Sequence, residues 1–322
     1  MPAPERIPPT AVTRTGTGTG TPGPAKPSRC SGPPEPTAPP ARVLAEGELT
    51  VRGRLREASN AVLYCTVEGD GRAVPCVYKP VRGERPLWDF PDGNLARREV
   101  AAYEISEALG WHLVPPTVLR DGPYGEGMCQ LWIGPRPDGA APPDGPGGPE
   151  GAAEGAEESD GPGGGLLALV EDAEPEEGWK PIGLVDVGEG RTALLVHADD
   201  PRLRRLAVLD AVINNADRKG GHLLTTPDGR LYGIDHGVTF HTDDKLRTLL
   251  WGWAGEPLPA EVLEPLRRLL AALDDGPLAV RMGELITPAE LDALRGRVRG
   301  LLETGRHPVP GGDWPAVPWP PI

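Results

Sequence analysis

The chain has 322 residues, and its 44 Gly and 41 Pro take up about a quarter of it, well above the roughly 12% usual for a folded protein. Aromatic residues make up only 5% and hydrophobic residues 38%, so folding is confined to segments where Leu, Val, Ile and Trp are concentrated. With 33 basic against 47 acidic residues the net charge is −14, which repels a phosphate backbone or an anionic membrane surface and excludes a general nucleic-acid binder.

Residues 1–43 hold 12 prolines and a Thr-Gly alternation from Thr15 to Gly20, with too little apolar surface to offset chain entropy, so a disordered tail is expected. A β-rich stretch follows, with strands around Leu49 to Val51, Asn60 to Val67 and Ala73 to Lys79. The Asp70-Gly71 step between the last two is a hairpin signal. A helix from about Asn94 to Leu109 stops at Gly110, and two further strands lie around the Asp121-Gly122-Pro123 turn. Over 134–165, 11 Gly and 7 Pro fill 18 of 32 positions and acids dominate, so a disordered acidic insertion is expected, continuing to about Glu177 with a short strand possible at Leu166 to Val170.

Beyond the insertion the chain reads as mainly helical. Asp200 and Pro201 start a helix whose apolar stripe includes Leu203, Leu206 and Ile213, with Asp210 on the same stripe. After a loop from Asn214 to Gly221 come strands at His222 to Thr225 and Leu231 to Ile234, then helices near 260–273 and 288–303. The last opens on Thr287, Pro288 and Glu290, a capping box. The expected division is a disordered tail (1–43), a β-rich lobe with one helix (44–133), the insertion (134–177), a mainly helical lobe (178–307) and a Pro/Trp tail (308–322). Cys30, Cys65, Cys76 and Cys129 form no CxxC pair and there is no zinc-finger spacing, which fits a reducing setting. No leader-like h-region and no apolar run near 18 residues is present, so a soluble, unprocessed, cytoplasmic protein without integral membrane contact is expected.

Four charged residues stand out by order and type. Lys79 ends a strand, Glu99 lies in the next helix, Asp217 sits in a loop after a helix, and Asp235 follows a strand in an Asp-x-Gly segment. This is the constellation that phosphoryl transfer requires. ATP's phosphates need a fixed cation, which Lys79 supplies, and a flexible lysine needs an anion such as Glu99 to hold it. Mg²⁺ needs hard oxygen ligands, a role suited to Asp235. An acceptor hydroxyl needs a proton acceptor, which Asp217 provides, while Lys219 neutralises the transferring group.

The stretches Val77-Tyr78-Lys79-Pro80, Arg97 to Tyr103, Asn215-Ala216-Asp217-Arg218-Lys219 and Gly233-Ile234-Asp235-His236-Gly237 resemble the phosphatidylinositol 3-/4-kinase-like branch of the kinase superfamily. They are most similar to type II phosphatidylinositol 4-kinases and an uncharacterised actinobacterial group. The resemblance spans roughly 47–133 and 178–273. It implies an α+β, two-lobed protein-kinase-like fold with ATP in the cleft, Lys79 on the phosphates, Glu99 as its partner, Asp217 as catalytic aspartate and Asp235 on the metal. It also implies an adenine-contacting hinge around Gln130, Leu131 and Trp132. The acceptor, whether lipid, protein side chain or small molecule, is not implied.

Two departures from that pattern stand beside it. His222 occupies the position where these kinases place an Asn for a second metal ion, and reads equally as a metal-site residue or a satisfied structural histidine. No G-x-G-x-x-G loop joins the first two strands, where Ser59 and Asn60 are left to cover phosphates. The alternative to an active ATP-dependent phosphotransferase is thus a pseudokinase or nucleotide-binding interaction module. Asp210 reads as a structural carboxylate accepting loop N–H groups, and Trp88, Trp111, Trp251 and Trp253 as core.

Overall fold

The computed structural model of the protein describes residues 40–55, 61–90, 94–137, 165–171, 174–188, 190–311 and 315–321. Residues 1–39 of the expected tail, 138–164 of the expected insertion, and Ser59, Asn60 and Trp314 lie outside the described residues. Residues 40–43, assigned to the tail from composition, belong to a helix, α1 (Pro40–Glu46), whose Val43 and Leu44 are buried.

Strands β1 (Glu48–Arg54), β2 (Leu63–Gly69) and β3 (Arg72–Pro80), helix α2 (Leu95–Ala108), and strands β4 (Thr117–Gly122) and β5 (Gly125–Leu131) form the first lobe. Its five-stranded sheet is antiparallel in the order β1-β2-β3-β5-β4. Asp70 and Gly71 both have positive φ (52° and 70°), the backbone a tight primed turn between β2 and β3 demands. Alternation along the strands sorts their side chains between two faces. Cys65, Val67, Cys76, Tyr78 and Cys129 pack under α1, whereas Val77 and Met128 join the main core with Val100 and Ile105 of α2. Lys79, two residues beyond Val77, therefore falls on the α2 side. The three described cysteines are reduced and buried.

Strands β6 (Leu167–Val170), β7 (Trp179–Gly188) and β8 (Arg191–Ala198) form a second antiparallel sheet, in the order β6-β8-β7. The β7–β8 hairpin lies in a stretch expected to be part of a mainly helical lobe. Buried His197 of β8 accepts a hydrogen bond from the Gly252 amide (3.0 Å). A Cβ on Gly252 would lie 2.4 Å from that ring nitrogen, so only glycine allows the approach.

The helical lobe contains α3 (Pro201–Ile213), the short strands β9 (Leu223–Thr225) and β10 (Leu231–Gly233), and helices α4 (Ala260–Asp274), α5 (Pro277–Leu285) and α6 (Pro288–Thr304). Asp200 caps α3 and the Thr287–Glu290 capping box opens α6, as their residue types predict. Helix α5 was not apparent from composition. Trp251 and Trp253 are buried as expected, but Trp88 is 85% exposed, with the Lys245 ammonium 5.5 Å above its ring. Among the described residues no helix is long and apolar enough to cross a membrane.

Candidate active site

Helix α2 delivers Glu99 into the cleft between the lobes. Its N-terminus is held by Asn94, which accepts from Arg97 N (2.8 Å), and by Glu84, whose carboxylate accepts from Leu95 N and Ala96 N (3.0 and 2.8 Å). These contacts satisfy three amides that a helix start leaves unpaired, and place negative charge where the helix dipole favours it. Arg98, on the same turn, ties α2 to the helical lobe through Glu290, 2.5 Å away, and the Thr239 carbonyl.

Lys79, Glu99 and Asp235 meet. Lys79 Nζ donates to Glu99 Oε1 at 2.7 Å and to Asp235 Oδ1 at 3.0 Å, across sequence separations of 20 and 156 residues. The second oxygen of Glu99 accepts the His236 backbone N–H (2.9 Å), so one carboxylate anchors both the lysine and the Asp-x-Gly segment. Asp235 has φ of 61°, a left-handed conformation costly for a residue with a Cβ and characteristic of functional sites. Its carboxylate is 52% exposed to the cleft while Glu99 is 2% exposed. Burial disfavours the Lys79 ammonium, but the charges of Asp235 and Glu99 outweigh it and raise the lysine's pKa. Burial raises the Glu99 pKa against the pull of Lys79, and the Lys79 charge lowers that of Asp235.

His222 stands beside Asp235, with Nε2 3.4 Å from Oδ2. Its Nδ1 accepts the Lys219 N–H at 3.3 Å, which places the proton of the neutral ring on Nε2. Burial lowers the His222 pKa, with Asp235 opposing, so the neutral form prevails. His222 therefore faces Asp235 as an N–H donor, whereas a metal ligand needs a lone pair at that atom. Asp235, the other expected metal residue, thus has His222 Nε2 as a neighbour in this arrangement.

Asp217 lies on the loop after α3. Its amide donates to Asn215 Oδ1 (3.0 Å), and its own carboxylate accepts from Arg247 Nη2 (2.9 Å) with Lys219 Nζ 3.4 Å away. Arg247 was not singled out in the sequence. Its guanidinium also donates to Ala216 O (2.7 Å), and its backbone pairs with Asn215 and Arg218. Behind this loop, Asp210 and Arg218 form a fully buried bidentate pair, joined by Asn215 Nδ2 and, through Arg218, by Ile234 O and His236 Nε2. Asp210 is structural as expected, but its carboxylate takes side-chain donors rather than loop amides. Asn214, the left-handed cap of α3, holds the 241–245 segment through two side-chain donations and the Lys245 amide.

Gln130 is buried and its amide donates to Thr117 Oγ1 (2.8 Å). The Leu131 and Trp132 amides are engaged with Pro116 and Pro75 carbonyls, and the Trp132 ring meets Tyr64 edge-on. Those two amides are thus consumed within the lobe, leaving an adenine contact to other atoms of this stretch. A cavity of about 620 Å³ lined by Ala211, Asp244, Gly296, Arg297 and His307 among others contains none of Lys79, Glu99, Asp217 or Asp235.

A five-stranded antiparallel sheet carrying one helix, a helical lobe, and a Lys-Glu-Asp cluster where they meet define a two-lobed α+β, kinase-like fold. The chain belongs to the family of protein Rv2133c of Mycobacterium tuberculosis (strain ATCC 25618 / H37Rv), with which it is 49% identical over 278 residues, 86% of this chain and 94% of that protein. No family model matches the chain. Solved structures similar to it include the Golgi casein kinase with Mn/ADP bound, 13% identical with a TM-score of 0.45, covering 82% of this chain and 74% of the other. Hydra Fam20 with sugar is 12% identical with a TM-score of 0.41, covering 82% and 86%. The Helicobacter pylori proinflammatory kinase CtkA is 11% identical with a TM-score of 0.42, covering 82% and 94%.

Proposed function

We propose that the protein is an ATP-dependent phosphotransferase that moves the γ-phosphoryl group to a hydroxyl acceptor. The observation that carries this reading is Lys79 Nζ, held between buried Glu99 and cleft-facing Asp235, with Asp217 presented from the adjoining loop. Glu99 holds the lysine and has no exposure of its own, while Asp235 keeps half of its surface open to a ligand. Lys79 binds the nucleotide's phosphates and Asp217 takes the proton of the acceptor hydroxyl as the new O–P bond forms and the bond to the leaving phosphate breaks. Lys219 offsets charge on the transferring group, and Arg247 fixes the carboxylate of Asp217.

Among the described residues no group of three or more His, Cys, Asp or Glu is arranged to hold a metal by itself. That fits Mg²⁺, which commonly binds one or two carboxylates and completes its shell with phosphate oxygens and water. Asp235 would hold it, oriented by His222, and the ion would supply neutralisation of phosphate charge. The resemblance to phosphatidylinositol kinases supports phosphoryl transfer, and the acceptor class is set by assay.

The test is calorimetry of ATP binding with and without Mg²⁺, with turnover measured against lipid, protein and small-molecule hydroxyls. Magnesium-dependent binding lost in Lys79→Ala and Asp235→Ala, with turnover lost in Asp217→Asn, is the expected outcome. Binding indifferent to Mg²⁺ and to Asp235, with no turnover, makes the protein a nucleotide-binding pseudokinase, the reading favoured by His222 in place of an oxygen ligand. Absence of binding overturns both.

A further inference from the structure

The last segment of the chain, 315–321, is seated against the two stretches that position Asp217. Ala316 O accepts from Thr248 N (3.0 Å) and from Trp251 Nε1 (2.7 Å), and Pro321 O accepts from Gly220 N (2.9 Å). Pro318 and Pro321 are buried although the segment is otherwise half-exposed or exposed. Thr248 adjoins Arg247, whose guanidinium holds the Asp217 carboxylate and whose carbonyl accepts Arg218 N (3.0 Å). Gly220 opens the turn that carries Lys219 on one side and His222 on the other.

The sequence suits the task. Four of the seven residues 315–321 are proline, which fix φ and lack the N–H groups that would compete for partners, so the segment offers carbonyl acceptors at small entropic cost. The turn it contacts has the opposite character. Gly220 and Gly221 are adjacent, a Cβ at Gly221 would meet nothing within 4 Å, and this backbone is held by few side-chain contacts of its own.

We propose that residues 315–321 act as a strap that positions the catalytic loop, gripping it on both sides of Asp217 through the Thr248 and Gly220 amides. The proposal rests on the phosphotransferase reading for its effect on turnover, but its structural half stands apart from activity. Residues of the strap touch no reacting atom; they hold Arg247 and the Lys219–His222 turn in register with Asp217, so their loss lowers the rate of transfer and leaves nucleotide binding at Lys79 and Glu99 intact.

Two variants test it. One ends the chain at Gly311; the other, Gly220→Pro, removes the amide donor at the first position of a short 3-10 turn preceded by an extended Lys219 (φ −99°, ψ 166°), a backbone that proline can adopt. Expected in both are an ATP affinity within about twofold of the full chain and a kcat lower on the order of 10²-fold, the scale on which misplacement of a catalytic group is felt. A peptide covering 312–322, added in trans, restores kcat to the truncated chain. Amide hydrogen exchange supplies the activity-independent readout: in the truncated chain, protection falls at Gly220 and Thr248 and the loss spreads to Asp217 and Arg218. A kcat that rises on truncation overturns the proposal in favour of a segment that covers the acceptor path. Loss of protection confined to Gly220 and Thr248 also overturns it, whether or not the full chain turns over ATP.

Discussion

Two clusters of charge lie close together in this protein and behave as opposites. In the cleft, Lys79 joins Glu99 and Asp235, and the aspartate is 52% exposed. Behind it, Asp210 and Arg218 are fully buried, and Arg218 also donates to Ile234 O and His236 Nε2. The cleft cluster holds groups that can adjust: burial already raises the Glu99 pKa, so this carboxyl can take a proton if its lysine is lost. Arg218 and Asp210 are both enclosed, so neither can turn to solvent when its partner is removed. Under the proposed function the pair with one open partner is the one that meets a ligand, whereas the fully enclosed pair holds the fold together.

The sharpest way to break this contrast is Asp210→Ala. It leaves an uncompensated buried cation and is expected to cost about 3–5 kcal/mol of stability, read by denaturant unfolding. A loss under 1 kcal/mol would show that the network is not structural. Asp217→Asn takes the opposite course, leaving the denaturation midpoint near that of the unsubstituted protein and lowering turnover by on the order of 10³-fold, about 4 kcal/mol. Lys79→Met comes next. Nucleotide affinity is expected to fall by roughly 10–100-fold, about 1.4–2.7 kcal/mol, with a smaller change in stability than Asp210→Ala because Glu99 keeps the His236 amide as a partner. An unfolding midpoint shifted as far as in Asp210→Ala would erase the distinction between the clusters.

Acid provides a gentler probe of the buried side. Burial lowers the pKa values of His197 and His307 from 6.5 to about 4, the latter with help from Arg204, and burial with the Arg218 charge lowers that of His236 as well. Between pH 6.5 and 4 the unfolded chain binds more protons than the folded one, so stability falls as pH drops through this window, by several kcal/mol. Stability flat across it would mean these rings titrate normally. Smallest is Thr287→Ala, which removes the side chain accepting from Glu290 N and is expected to cost about 1 kcal/mol, measured by thermal unfolding.

Much of the first lobe was legible because its signals are local. The Asp70-Gly71 turn, the strand ending at Lys79 and the helix from about Asn94 to Leu109 are read without reference to the rest of the chain. The β7–β8 hairpin was missed because Pro181 and Gly183 interrupt the alternation, and the register shifts there and again between Asp186 and Gly188. Trp88 was read as core from its type, yet tertiary packing left it exposed beneath Lys245. At the site, the order Lys79, Glu99, Asp217, Asp235 was visible, but the tautomer that makes His222 a donor depends on where the Lys219 amide points.

The amino-acid sequence by itself determined the strands and helix of the first lobe after α1, helices α3, α4 and α6 and the residue types at the site's strand ends and loops, because periodicity and capping act over a few residues. Only the tertiary structure decided that Glu99 shares its two oxygens between Lys79 and the His236 amide, that Arg247 closes on Asp217, and that Ala316 and Pro321 reach Thr248 and Gly220. Those contacts join residues 20 to 137 positions apart. They persist because burial of the shared core, from Val100 and Ile105 to Leu206 and Leu294, offsets the entropy of closing such loops, a balance no short stretch of chain contains.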